Sequence, residues 1–497
     1  MLVVSKNYFR FPRSTFGLQQ WLEVDDDDVE LKLLRELVKK RVTSHLKRKK
    51  KRRRKKGSSL KFYVIDLETG KPRRGTYLDS LWWLNYVVLK DTHLTKPMKD
   101  RFRNRFRIPF HCWEDLVDDM KSNDLFRQWH DGTKSAHGRY SSPLELLSLG
   151  GLRYLGRNCT FDDLEEHTFI SLSTHYRFFE KFIEYGSTTL YEKYVTSPAD
   201  KEDFASVGHE YNQAGFHGAI GSMDATHVMI NGCRYGARRS HLGHKLNKTA
   251  RSYNIVVNHR RRILSSTMGH PSTWNDKTIV LHDDFITKIK SGEIGNDKVF
   301  YLLRKDKDGN ISRVKYIGVW VIVDGGYLNW SVTVPPFQWC DFQSQLRWSQ
   351  WLESLRKDVE CTFGIMKKRF RCLSHGIDAL SVEKADKIWR TCCAIHNMLL
   401  IEDGYDDLWE EGELPSTESN AFSIMRLFEH NGESEVHCGD EVSTTFNMDE
   451  VPISEEVVRI EEMKLDDFRQ RLVEHFHILF TRRGIVWPRN SKPPRSV

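Results

Sequence analysis

Asp224, Asp324 and Glu360 lie far apart in the chain, yet each falls where a folded element would fix it. Asp224 is in the middle of AIGSMDATHVMI (Ala219–Ile230), a run of strand character. Asp324 directly ends YIGVWVIV (Tyr316–Val323), a buried type of strand, and is followed by Gly325 and Gly326. Glu360 lies within the long helical stretch Gln350–Phe370. Three convergent carboxylates make a hard-oxygen site suited to Mg²⁺ or Mn²⁺. Two such ions would activate water or a 3′-hydroxyl and stabilise the leaving oxygen of an in-line phosphodiester displacement. A lone aspartate at a strand end is more often a cap, but Asp224 resists that reading. Its flanks predict a buried strand, where an unpaired charge is costly. Glu353, seven residues before Glu360 on a similar helix face, is a rival for the third acid, while Asp358 points elsewhere. Arg356 stands one turn before Glu360 and could orient it by an ion pair, though an exposed i, i+4 pair is worth little. Lys367, Lys368, Arg369 and Arg371 read either as a basic rim for DNA phosphates or as a solvated helix end.

These residues need a scaffold, and the order of elements supplies one. After the Asp224 strand come Ser252–Asn258 and Ile263–Met268 as two further strands. Asn275 caps a helical stretch over about Asp276–Ile289, then come the Asp324 strand and the Glu360 helix. That is the ribonuclease H-like plan: an α/β domain over 205–400 with a mixed five-stranded sheet flanked by helices. Its first strand is central and its fourth lies beside it, so their carboxylates converge.

Before this domain, residues 77–200 are rich in helical periodicity and form an all-α region with a helix-turn-helix outline. Ser142-Pro143-Leu144-Glu145 is a capping box with proline at the first helical position. Thr160 caps Phe161–Thr168, and Ser173-Thr174 caps a third helix through Phe182. In a helix-turn-helix the last helix enters the major groove with its first residues forward, which would make Thr174, His175 and Arg177 the exposed contacts. Plain helical packing accounts for the same pattern.

The chain has 497 residues, 39% hydrophobic and 12% aromatic, enough for two or three domains. Its net charge of +9 comes from one run of ten, Lys47, Arg48, Lys49, Lys50, Lys51, Arg52, Arg53, Arg54, Lys55 and Lys56. Without it, 67 basic residues face 68 acidic ones. The run sits in an arm over 1–76 read as flexible, and reads as a nuclear-import address, a non-specific phosphate grip, or a solvated charge run with no dedicated role. Residues 402–465 read as a loose acidic linker, and 466–497 as an amphipathic helix and tail. Nine cysteines without a C-x-x-C pair argue against a zinc site or disulfide framework. No secretory leader is legible, and no apolar run approaches the roughly 20 residues of a membrane helix.

The stretch from about 140 to 400 resembles the Harbinger-type DDE transposases and their domesticated nuclease relatives. GSMDATHV, NKTARSYNIVVN, GHPSTWNDKTI, VIVDGGY, SLRKDVECTFGIMKKRFRCL and WRTCCAIHNMLL resemble that family's motifs, in its order. Ala225 stands where the family usually has glycine, and the basic arm and acidic extension are not part of the pattern. The resemblance implies a divalent-metal-dependent endonuclease that excises or joins DNA at transposon ends, and the basic run adds the expectation of a nuclear location. It carries the catalytic triad onto Asp224, Asp324 and Glu360. It also adds Asp276 as a fourth metal ligand, a residue that otherwise reads as part of a helix N-terminus. His227 and His396 are expected to be structural. A separate Myb-like DNA-binding protein is the expected partner, and a homo-oligomer is compatible. The competing readings are a non-cutting DNA-binding or chromatin protein that keeps the fold, and an enzyme acting on RNA.

Overall fold

The computed structural model describes residues 62–66, 68–88, 94–130, 141–233, 235–243, 248–406 and 446–487. The basic run Lys47–Lys56 and most of the acidic stretch lie outside the described residues. Contacts divide the chain into two compact units, Met1–Tyr154 with Cys159–Phe182, and Leu155–Asn158 with Ile183–Val497. No described helix is long and apolar enough to cross a membrane.

The first unit carries a short antiparallel hairpin, β1 (Tyr63–Ile65) with β2 (Pro72–Arg74). Its helices are α1 (Lys96–Phe106), α2 (Phe110–Ser122), α3 (Leu144–Arg157), α4 (Phe161–Thr168) and α5 (Leu172–Tyr185), the last residues of α3 and α5 passing into the second unit. The core is aromatic: Phe102, Phe106, Phe126 and Phe178 are fully buried. Thr160 caps α4 as expected, accepting from Asp163 N, and Phe169 at φ 55 makes the left-handed turn out of it. Helix α5 begins earlier than its sequence suggests. Ser171 O already accepts from Thr174 N and His175 N, so Thr174 and His175 lie inside the first turn instead of capping it.

The second unit is built on a mixed sheet flanked by helices. Its elements are α6 (Lys201–Gln213), β3 (Ala219–Asn231), β4 (Ala250–Val257), β5 (Ile263–Ser266), α7 (Asp276–Val280), α8 (Asp284–Lys290), β6 (Val299–Lys305), β7 (Ile311–Ile317), β8 (Trp320–Ile322), β9 (Thr333–Val334), α9 (Gln343–Arg369), α10 (Val382–Glu402), β10 (Ile453–Arg459) and α11 (Leu465–Thr481). The main path runs β9-β8-β3-β4-β5, and two-residue strands at His270–Pro271 and Ile377–Asp378 pair at its margins. β4 lies antiparallel to β3 and β5, whereas β8 lies parallel to β3. β4 is buried along its whole length, as its SYNIVV run requires.

Two expectations are corrected here. The run Tyr316–Val323 is two strands, not one. Gly318, at φ +124, turns the chain out of a separate three-stranded sheet (β10-β7-β6) and into β8. A side chain there would collide with Ile460. The end of the expected acidic linker is also structured. Residues Ile453–Arg459 pair in parallel with β7, and Ile460, Leu465, Phe468, Leu472 and Phe476 enter the same core as Trp320 and Trp348. The C-terminal helix is therefore part of the same unit as the main sheet and completes its hydrophobic interior.

Candidate carboxylate site

Strand register brings the first two acids together. Ser222 of β3 stands opposite Ile322 of the parallel strand β8. Asp224 lies two residues further on in β3 and Asp324 two residues past Ile322, just beyond β8, close enough for their charges to interact. Asp276, in the first turn of α7, arrives from the side. Gly326 lies between: a methyl group there would stand 3.0 Å from Asp324 Oδ1 and 3.1 Å from Asp276 Oδ2. The glycine thus leaves open a space faced by two carboxylates. Asn275 does the capping of α7, accepting from Thr278 N, so Asp276 is not needed as the cap.

Burial pushes the Asp224 carboxyl up to about 6, and the nearby charges of Asp324 and Asp276 act in the same direction. Its backbone bond from Ala225 N (2.7 Å) and the Arg356 charge oppose this without reversing it. A cluster of hard anionic oxygens that cannot comfortably share its negative charge fits a divalent cation. The donor chemistry of Asp224, Asp276 and Asp324 suits Mg²⁺ or Mn²⁺, with Asp276 and Asp324 facing the space at Gly326, although the three carboxylates do not close to within 4.8 Å of one another.

Helix α9 supplies the fourth side. Glu353, Arg356 and Glu360 project from one face at i, i+3 and i+7. Arg356 Nε and Nη2 donate to the two oxygens of Glu353 at 2.8 and 2.6 Å. Nη2 also donates to Glu360 Oε1 at 2.7 Å, and Nη1 stands 3.8 Å from Asp224 Oδ2. Glu360 is therefore one guanidinium away from Asp224, on the same side of the sheet. Its side chain is 49% exposed, against 38% for Glu353. Asp358 does point elsewhere: it is buried against His259 Nδ1 at 2.7 Å.

A buried polar chain holds these elements in place. The Tyr327 hydroxyl, just past Asp324-Gly325-Gly326, donates to Asn254 Oδ1 at 2.8 Å. Asn254 Nδ2 donates to Asp283 Oδ2 at 2.7 Å, and Asp283 Oδ1 accepts from Phe285 N and Ile286 N at the start of α8. The Asp324 loop, β4 and the helices after Asp276 are thereby joined through groups with almost no solvent exposure. Sequence reasoning missed this chain, although the asparagine inside the apolar run of β4 was its one visible sign.

The basic residues part company. Lys367 Nζ donates to Thr226 Oγ1 at 2.7 Å, which places it beside Asp224 on the same face of β3. Lys368 and Arg371 are exposed. Arg369 is not part of an exposed rim: it is buried, with Nη1 3.3 Å from His396 Nδ1. His396 bonds Arg261 O through Nε2 at 3.0 Å, and burial lowers its pKa to about 3. Its neighbour Asn397 grips Ile263 N and O of β5. His227 Nδ1 meets Ser252 Oγ across the β3–β4 pair at 2.9 Å. Both histidines have local structural partners.

In the first unit, His175 is likewise not an exposed contact. Its Nε2 lies 2.8 Å from Thr168 Oγ1, in the space that Gly150 leaves on α3, and burial lowers its pKa to about 3. Arg177 is exposed, while Thr174 is half-buried with its hydroxyl 2.9 Å from that of Ser171.

Residues 192–407 match the plant transposon protein family model. That span holds Asp224, Asp276, Asp324, Glu353, Arg356, Glu360 and Lys367. The chain is also similar to the Homo sapiens and Bos taurus proteins named "Putative nuclease HARBI1", at 23% identity over 219 residues in each case. The alignments cover 43% of this chain and 55% of each relative, so the chain spans about half the length of the curated relatives it matches. No solved structure matches it. The similarity is thus to a plant transposon protein model and to relatives named as putative nucleases.

Proposed function

We propose that this protein is a divalent-metal-dependent DNA endonuclease of the DDE transposase type, built on a ribonuclease H-like domain. The observation that carries the reading is that Asp276 and Asp324 face one space at Gly326 while both act electrostatically on buried Asp224, with Glu360 linked to Asp224 through Arg356. The strand order and the parallel β3–β8 pair support the fold assignment. When bound, Mg²⁺ or Mn²⁺ would supply an activated water or 3′-hydroxyl and stabilise the leaving oxygen. Asp224, Asp276, Asp324 and Glu360 would hold it.

The chain's own residues have separate tasks. Tyr327, Asn254 and Asp283 fix the loop and the helices that carry two of the acids. Lys367 brings a positive charge to the Asp224 face, and exposed Lys368 and Arg371 attract the phosphates on either side. The run Lys47–Lys56 serves nuclear entry, and a Myb-like partner supplies sequence specificity. These two assignments rest on sequence. Nothing favours the non-cutting alternative, since every acid the chemistry needs is present.

The test uses full-length protein and a plasmid carrying the terminal sequences that flank its gene. Mn²⁺ or Mg²⁺ is expected to support nicking or excision. Asp224→Asn, Asp324→Asn and Glu360→Gln are each expected to lower the rate by at least about a thousandfold, with DNA binding retained. Full cutting by any one of them removes that residue from the site.

A further inference from the structure

One guanidinium serves three carboxylates on the α9 face, and it does not serve them equally. Glu353 has both oxygens engaged, in a two-bond fork to Nε and Nη2 (2.8 and 2.6 Å). Glu360 gives one oxygen to Nη2 at 2.7 Å and is the more exposed of the pair. Asp224 has only the 3.8 Å charge contact with Nη1, with no hydrogen bond. Paired, charge-assisted forks are the strong ion pairs, and a contact at 3.8 Å is the first to yield.

We propose that Arg356 is the built-in counter-cation of the carboxylate site and that Glu353 is its anchor, not a metal ligand. A divalent cation takes Asp224 and Glu360 from Arg356, while the fork to Glu353 keeps the guanidinium on the helix. The inference rests on the metal-dependent reading above and assigns roles to the two glutamates within it. It follows from charge and geometry. A guanidinium and a divalent ion repel each other at short range, so each weakens the other's hold on Asp224 and Glu360. Arg356 has a second place to be, because α9 puts Glu353 one turn before it and Glu360 one turn after. Arg356 is thus a positioning residue: before metal arrives it offsets the charge of the acids, and afterwards it stays beside them without blocking them.

The test is Mn²⁺ binding to the full-length protein without DNA, followed by the electron paramagnetic resonance signal of free Mn²⁺, with a thermal melt of every variant. Arg356→Gln is expected to tighten Mn²⁺ binding about threefold to tenfold, and Arg356→Lys by less. Arg356→Met serves as a second neutral variant should the glutamine not fold. Glu353→Gln is expected to weaken binding severalfold, because the unanchored guanidinium then stays on Glu360 and Asp224. That loss should vanish in the double variant, which should bind like Arg356→Gln alone. Two results would overturn the proposal: weaker binding when Arg356 is neutral, or a Glu353→Gln loss of equal size with and without Arg356, the mark of a direct ligand. Wild-type protein that takes up no Mn²⁺, or takes it up equally well with Asp224→Asn, would sink the metal-dependent reading and this inference with it. Uptake that needs Asp224, combined with the wrong sign at Arg356, would remove this inference alone.

Discussion

Asp224 shows at the residue scale what burying a carboxylate beside other acids costs. Burial, helped by Asp324 and Asp276, holds its carboxyl at about 6, above the ordinary 3.8. Its contribution to stability is therefore complete below about pH 4 and is lost as pH rises through 6. At pH 7.5 the ionised side chain costs up to about 3 kcal/mol in the absence of metal. Asp224→Asn is expected to stabilise the metal-free protein at pH 7.5 by that order, and by little at pH 4. Denaturant titration at the two pH values checks it, and an equal effect at both would show that charge is not the cause. The placing of Asp224 within a strand and of Asp324 just after one was legible, because an acid set in or directly after an apolar strand is conspicuous. It was poor for His175 and Arg369. Side chains of those types are ordinarily exposed, and only the space at Gly150 and the ring of His396 show why these are not.

Elements act here through register and through buried polar links. The pairing of Ser222 with Ile322 sets Asp224 beside Asp324, and the Tyr327–Asn254–Asp283 chain sets the Asp324 loop against β4 and α8. Tyr327→Phe leaves one lone pair of Asn254 without its donor in a dry interior, at a cost of about 1–3 kcal/mol. Melting should record that loss, accompanied by weaker Mn²⁺ binding. Wild-type stability and metal affinity in Tyr327→Phe would mean the chain does not position the loop. Strand β3, strand β4 and helix α4 were legible within a residue or two, since their periodicity and caps are local. The division of Tyr316–Val323 into β7 and β8 was not. Apolar residues run straight through it, and only Gly318, at φ +124, marks the exit from one sheet into another. Helix α9 starts at Gln343, seven residues before the expected Gln350, because its first turns bury Gln345, Trp348 and Ser349 and lack the regular apolar spacing that marks a helix in sequence.

The second unit is completed by a return of the chain that its sequence conceals. Residues 453–481, beyond the acidic stretch, give β10 and α11 to the domain that bears the carboxylates. Phe468 is fully buried, its ring centroid 6.2 Å from those of Tyr316 and Trp320. Phe468→Ala is expected to destabilise the domain by about 3–5 kcal/mol, the range for an emptied aromatic core position. A merely appended helix would give a loss near zero. An acidic segment before it read as a linker because composition reports solvation and is silent on where the chain goes next. The central claim, that acids carried by two strands and two helices share a cation, is tested most directly by anomalous scattering from crystals soaked in Mn²⁺. The expected result is a peak within coordination distance of Asp224 and Asp324, with Asp276 or Glu360 completing it. Well-ordered carboxylates with no peak at millimolar Mn²⁺ would contradict it.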